Sequence, residues 1–340
     1  MSSRLQTHYL GLSLDNPLVP SASPLTKDRS HPLQLEDAGA SALVMHSLFE
    51  EEINHQHEQL LRFMHDQDIG HHEADSFLPT WKDHEYQDAR DQYLEQLRWL
   101  KERLGIPVIA SLNGISTDGW INHAREIEQA GADALELNVY YVAASCSESG
   151  EAVEQRYLGI LDAVRQQVKL PITMKLSPQF SSPAHFAHRC QKQGAQGVVL
   201  FNRFYQPEIR LDSLHVEPYL QLSTSQESLS RIRWIAILRG QLSINIAATG
   251  GIHTAEDALK ALLAGADVTH LCSALLMYGP EHLSRIKEKM LHWMDEHEYE
   301  SIEQLKGSLS VTHAINPSAY ERCNYLEVID SYTSARGVRR

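Results

Sequence analysis

The sequence predicts a closed (β/α)8 barrel, and three observations predict it. Eight short apolar runs alternate with longer amphipathic stretches along most of the chain. The runs are apolar on both faces, as parallel strands are when helices cover one side and the barrel interior the other. A helix-Ala-Gly-Ala-strand junction recurs in EDAGASALV, EQAGADALE and LLAGADVTH, each time stopping a helix ahead of a buried strand. A doubly wound open sheet usually opens on a glycine-rich first turn, whereas this chain has Ser21-Ala22-Ser23-Pro24 there. A length of 340 residues suits one such barrel, so residues 1–340 read as a single α/β domain of the TIM type.

In chain order the predicted strands are LVPSA (18–22), ALVMH (42–46), PVIASL (107–112), ALELNV (134–139), PITMKL (171–176), GVVLFN (197–202), INIAAT (244–249) and VTHLC (268–272). Helical spacing of apolar residues marks WINHAREIEQAGA, YLGILDAVRQQV and AEDALKALLAGA between them. Three segments break the repeat. Residues 48–100 form a long polar, histidine-rich insertion after the second strand, ending in a helix that runs to about 104. Residues 203–222 form a second insertion after the sixth strand, and 300–340 a C-terminal extension. Barrel active sites are built from the loops after the strands, so both insertions read as a lid.

The chain is 42% hydrophobic, enough for one large core, and carries a net charge of −14. That charge repels phosphate polymers and excludes nucleic acid and anionic membrane surfaces as partners. An anionic ligand must instead be held by local dipoles and a few placed cations. The cysteines Cys146, Cys190, Cys272 and Cys323 are scattered without a C-x-x-C pair, the usage of a reducing compartment. No run approaches the roughly 20 apolar residues of a membrane span. The expectation is a soluble cytoplasmic protein.

Two loops carry the strongest chemical signal. Thr249-Gly250-Gly251 closes the seventh strand and opens a helix, where paired glycines let backbone N–H groups face a phosphate. Cys272-Ser273-Ala274-Leu275 does the same after the eighth strand. Phosphate between these loops is a recurring barrel arrangement; the plain alternative for the glycines is a tight turn. Around the mouth, strand ends supply Ser23, His46, Asn113, Asn138, Lys175 and Asn202. A lysine inside PITMKLS is costly to bury unpartnered. It either stabilises charge on a bound flavin or pairs with a carboxylate such as Glu136. Asn138 and Asn202 suit a flat heterocycle or amide ligand, or else satisfy barrel-end backbone.

The order NPLVPSASPL, ELN, MKLSP and ATGGI-x-T-x-EDALKALLAGAD resembles the dihydroorotate dehydrogenase family, and its soluble FMN-containing branch most closely, over roughly residues 8 to 300. The resemblance implies an FMN barrel. Phosphate would lie on Gly250, Gly251, Ser273 and Ala274, with Thr249 beside them, and ring contacts would come from Ala22, Ser23, Asn113 and Lys175. It also implies a small planar substrate held by Asn138 and Asn202, oxidation of dihydroorotate to orotate in pyrimidine biosynthesis, and a homodimer. The apolar and aromatic tail YERCNYLEVIDSY fits such an interface.

The chain departs from the family after strand four. Where the family has N-x-S-C-P-N, with its cysteine or serine as base, this chain reads Asn138-Val139-Tyr140-Tyr141-Val142-Ala143. Tyr141 takes the base position and Ala143 replaces a substrate-binding asparagine. His46 stands where many members carry lysine, and Pro24 where they carry glycine. Three residues are candidates for proton transfer. Tyr141 suits a donor better than a base, with an ordinary pKa of about 10. Cys146 needs its loop folded inward and is otherwise an ordinary loop thiol. His46 titrates in the useful range. Arg203, Tyr205 and Arg210 follow Asn202, so an arginine there can pair with a substrate carboxylate or form a surface salt bridge. His55, His57, His65, His71, His72 and His84 lack the spacing and companions of a metal site, and no metal is expected. Alternatives to dihydroorotate are another dihydropyrimidine or conjugated carbonyl compound, and a catalytically silent flavoprotein. Fumarate, NAD through a partner, and oxygen stand open as electron acceptors.

Overall fold

The computed structural model describes residues 3–52, 89–114, 117–321 and 325. Eight parallel strands form the barrel: β1 (Leu18–Pro20), β2 (Leu43–Phe49), β3 (Val108–Asn113), β4 (Ala134–Asn138), β5 (Ile172–Leu176), β6 (Gly197–Leu200), β7 (Asn245–Thr249) and β8 (Val268–Leu271). Each overlaps one predicted run. Around the ring the ladder order is β1-β8-β7-β6-β5-β4-β3-β2. Between β1 and β2 no ladder runs. There the backbone N–H and hydroxyl of Ser41 both donate to the Leu18 carbonyl, at 3.2 and 3.1 Å.

The helices α1 (His31–Asp37), α2 (Ala89–Arg103), α3 (Thr117–Gln129), α4 (Gly150–Arg165), α5 (Pro183–Lys192), α6 (Ser228–Leu238) and α7 (Ala255–Ala264) follow successive strands. A short α8 (Ser273–Tyr278) and a longer α9 (His282–Glu296) follow β8. The recurring Ala-Gly-Ala works as the sequence suggests. Gly39, Gly131 and Gly265 all take positive φ (97°, 95° and 126°), the left-handed helix stop that an L side chain resists.

The core has two layers. The barrel interior is filled by one residue or two from most strands, including Val19, Val44, Ile109, Ala134, Val199, Ala247 and Val268. Below them an antiparallel hairpin, Thr7–Tyr9 with Leu12–Leu14, plugs the floor with Tyr9, Leu10 and Leu14. A larger shell of Leu, Ile, Ala and aromatic side chains joins strands to helices. Fully burying each Leu, Ile or Val contributes roughly 1.5–3 kcal/mol.

Of the first insertion, 53–88 and its histidines lie outside the described residues, as do Cys323 and most of the tail from 322. The helix expected at its end is α2, which buries Tyr93, Leu97 and Leu100 on one face. The 203–222 insertion carries a second hairpin, Pro207–Arg210 with His215–Pro218. No helix among the described residues is long and apolar enough to cross a membrane.

Candidate active site

A cavity of about 590 Å³ opens at the C-terminal ends of the strands. Its residues come from loops and strand ends far apart in sequence, which parallel register brings side by side. Asn113, Asn138 and Lys175 are direct cross-strand neighbours on β3, β4 and β5, and all three line the cavity. Asn202, just past β6, donates its amide to the Asn138 side-chain oxygen. Ala22 and Ser23 line the wall after β1, and His46 lines it from within β2.

Past β7, Gly250 and Gly251 take φ of 86° and 85°. A Cβ on Gly251 would meet the Ser228 backbone nitrogen at 2.4 Å, so the loop rests directly on the start of α6. Beside Gly250 lies Arg231, whose guanidinium donates to the carbonyls of Thr249 (3.2 Å) and Glu227 (2.8 Å). Ser273, at the start of α8, lines the same end of the cavity, and its hydroxyl accepts from the Ser223 N–H at 3.1 Å. Two glycines in left-handed conformation and a serine therefore line one end of the cavity, with the half-buried Arg231 behind Gly250. That is a cradle for an anion.

The floor is polar. Lys175 pairs with Glu136 at 3.3 Å, with the carboxylate fully buried and the lysine 9% exposed. Lys175 thus lines the cavity and is paired with the carboxylate that the sequence offered as its alternative partner. Glu136 Oε1 also accepts from Ser111 at 3.4 Å, but its Oε2 has no hydrogen-bond partner among the described residues. Across the barrel His270 lies 3.8 Å from that oxygen, and among the described residues neither of its ring nitrogens is hydrogen-bonded. Burial, and then the Lys175 charge, hold His270 at about 3, so the imidazole is neutral. Buried polar atoms without partners are uncommon. Two of them belong to His270, which lines the cavity, and mark a place where a polar ligand is expected to complete the bonding.

Several expected site residues stand elsewhere. Tyr141 does not line the cavity. Its hydroxyl donates to Glu148 at 2.5 Å, and Arg156 lies over its ring at 4.4 Å. The Glu148 carboxylate raises the Tyr141 pKa further, which removes it as a base. Its neighbour Tyr140 faces the cavity instead. Cys146 is an exposed loop thiol outside the cavity. Ala274 is fully buried under the β8 loop and does not line the cavity either. Arg203 lines it, but its guanidinium is bidentate on Glu227, at 3.1 and 3.2 Å, which commits the cation to the protein. Lys27, Tyr140, Arg231 and His270 were not among the expected residues. Only His270 had a legible signal, as a polar residue within an otherwise apolar run.

Comparison with known proteins places matches over most of the chain. The family model described as dihydroorotate dehydrogenase matches residues 84–294. The catalytic subunit of dihydroorotate dehydrogenase B (NAD(+)) from Thermoplasma acidophilum is 26% identical over 311 residues, covering 89% of this chain and 98% of that protein. The same-named subunit from Thermoplasma volcanium is 25% identical over 326 residues, covering 90% and 98%. That from Bacillus pumilus is 30% identical over 224 residues, covering 62% and 69%.

Proposed function

Because the chain belongs to the dihydroorotate dehydrogenase family, we propose that it is an FMN-dependent oxidoreductase that oxidises dihydroorotate to orotate at the cavity described above. The observation that carries the reading is Lys175, a buried cation that lines the same cavity as the Gly250-Gly251 loop and the Asn138–Asn202 amide pair. A flavin fits these residues. Its phosphate suits the loop Thr249-Gly250-Gly251 with Ser273, and its polar ring edge suits the ring nitrogens of His270, unpartnered among the described residues. When bound, it supplies a two-electron acceptor whose ring gains negative charge on reduction.

The chain's own residues do the rest. The Lys175 ammonium stabilises the charge that develops, and because it is fixed by Glu136 it needs no reorganisation at that moment. Ala22, Ser23 and Asn113, which line the cavity on the β1 and β3 side, would contact the ring. Asn138 and Asn202 present an amide pair that can satisfy both donors and acceptors of a planar pyrimidine. Arg203, tied to Glu227, forms wall rather than a carboxylate clamp. The reading also makes the protein a cytoplasmic homodimer, with the unpaired thiols Cys146, Cys190 and Cys272 in support of the compartment.

One observation favours a second substrate. The β4 loop brings neither cysteine nor serine into the cavity, only Tyr140. That departure supports another dihydropyrimidine or a conjugated carbonyl compound on the same flavin.

An anaerobic absorbance titration with dihydroorotate tests the proposal. The expected result is a yellow protein whose flavin band bleaches on addition. A yellow protein that keeps its band rejects dihydroorotate in favour of the second substrate class, and a protein that cannot be loaded with FMN rejects the reading altogether. In the same assay Tyr141→Phe is expected to reduce within about twofold of wild type, since its hydroxyl serves Glu148 and not the cavity. A drop of a hundredfold would return Tyr141 to the chemistry.

A further inference from the structure

With Tyr141 and Cys146 outside the cavity, the proton released in such an oxidation has no acceptor on the β4 loop. One corner of the cavity is built to take it. Strand β2 carries a bulge: Val44 pairs with Ile109 and Ser47 with Ser111, so Met45 and His46 together oppose Ala110. Bulges re-aim side chains. Here Met45 joins the core while His46 lines the cavity.

The Thr26 hydroxyl sets the state of that ring. It lies 3.2 Å from the Ser23 carbonyl and 3.2 Å from His46 Nδ1, and it accepts the His46 backbone N–H at 2.6 Å. The single hydroxyl proton is directed at the Ser23 carbonyl, which only accepts. The contact with Nδ1 is then a hydrogen bond only if Nδ1 carries the ring proton. Nε2 keeps its lone pair and has no protein partner among the described residues. Thr26 is itself fixed, fully buried, with its carbonyl held by Gln96 of α2 at 3.2 Å. Tyr93 of the same helix packs edge-on against the imidazole at 5.1 Å.

Lys27 is the next residue along. Of the lysines and arginines lining the cavity, Lys175 is matched by Glu136 and Arg203 by Glu227. Lys27 lines it with no ion pair among the described residues. Resting on the flavin reading above, we propose that His46 Nε2 accepts the substrate proton and that Lys27 receives a carboxylate of the substrate. The substrate class is therefore a carboxylate-bearing planar compound with an oxidisable CH–CH bond.

The step balances within one turnover. A substrate C–H bond breaks, its proton forms the new N–H bond at Nε2, and its electron pair becomes the C=C bond. With the flavin bound in its oxidised form, the adjacent carbon would lose hydride to it. The substrate is oxidised by two electrons, the flavin is reduced by two, and the imidazolium later returns its proton to water. Burial, and then the Lys27 charge, hold His46 at about 4 in the free protein. A carboxylate docked on Lys27 offsets the second of these causes, so basicity rises as the substrate arrives.

Two readouts test this on the FMN-loaded protein. The first is the 15N spectrum of labelled histidine near neutral pH, with the His46 signal identified by its loss in His46→Gln. The Nδ1–H tautomer is expected, and an Nε2–H tautomer would overturn the assignment. The second is anaerobic stopped-flow bleaching with dihydroorotate, alongside orotate binding read from flavin absorbance. His46→Gln is expected to slow bleaching by about 100- to 10,000-fold with orotate affinity nearly unchanged. Lys27→Met is expected to weaken orotate binding by about tenfold or more. Thr26→Val is expected to slow bleaching, and Thr26→Ser to restore it. Bleaching by His46→Gln near the wild-type rate, or unchanged orotate binding by Lys27→Met, would overturn the proposal. If wild type does not bleach with dihydroorotate at all, that substrate falls, and the tautomer and orotate binding still decide the roles of His46 and Lys27.

Discussion

Gly251→Ala is expected to destabilise the fold by roughly 2–5 kcal/mol and to empty the phosphate cradle. The added methyl has nowhere to go. At φ of 85° an L residue is strained, and the nearest atom is the backbone nitrogen of Ser228 at 2.4 Å, with the Glu227 carbonyl carbon at 3.0 Å. Relief requires α6 to move, which shifts Arg231 and Glu227 together and with them the wall at Arg203. Gly250→Ala is the control, because there the nearest atom is the Arg231 guanidinium at 3.1 Å, the far end of a flexible side chain. Urea unfolding of the two variants should separate them, with Gly251→Ala the larger loss. Recovery of free-FMN fluorescence on dilution should show weakened cofactor retention in the same order. Equal losses would mean that the close approach to α6 does not matter.

Lys175→Met is expected to act on both stability and rate. It leaves the Glu136 carboxylate, fully buried, without its counter-charge, and breaking such a pair from one side costs about 3–5 kcal/mol. It also removes the fixed cation from the flavin edge, which is expected to slow reduction by about 100- to 1,000-fold. The two effects separate in the double variant Lys175→Met with Glu136→Gln. Removing the stranded charge should return most of the stability while bleaching stays slow. Recovery of both together would mean that Lys175 is only half of a structural ion pair.

The barrel was legible because its signals are local and repeated. Each buried strand announces itself as an apolar run, and each Ala-Gly-Ala marks a helix end through the backbone geometry of one residue. The site was partly legible for the same reason. Asn113, Asn138 and Lys175 occupy strand ends, where alternation decides which side chains face inward. The reading failed where the chain leaves the strand. Past Asn138 alternation no longer holds, and Tyr141 is claimed by Glu148 and Arg156 on the next loop and helix. Arg203 is likewise claimed by Glu227, a partner 24 residues away that no spacing rule finds. Lys27 looks like any surface lysine until the cavity and its ion pairs are seen together.

The missing ladder between β1 and β2 makes the barrel a split hoop. Seven joints are stitched by backbone pairing, while at the eighth Ser41 and Thr26 serve as clasps. An elastic hoop cut at one place widens there first, because that gap opens for the loss of the fewest bonds. Lys27 and His46 sit on the two lips of the cut. On the proposed reading, the proton and carboxylate sites lie beside the strand pair without a ladder, while Lys175, Gly250 and Ser273 lie along the laddered arc from β5 to β8.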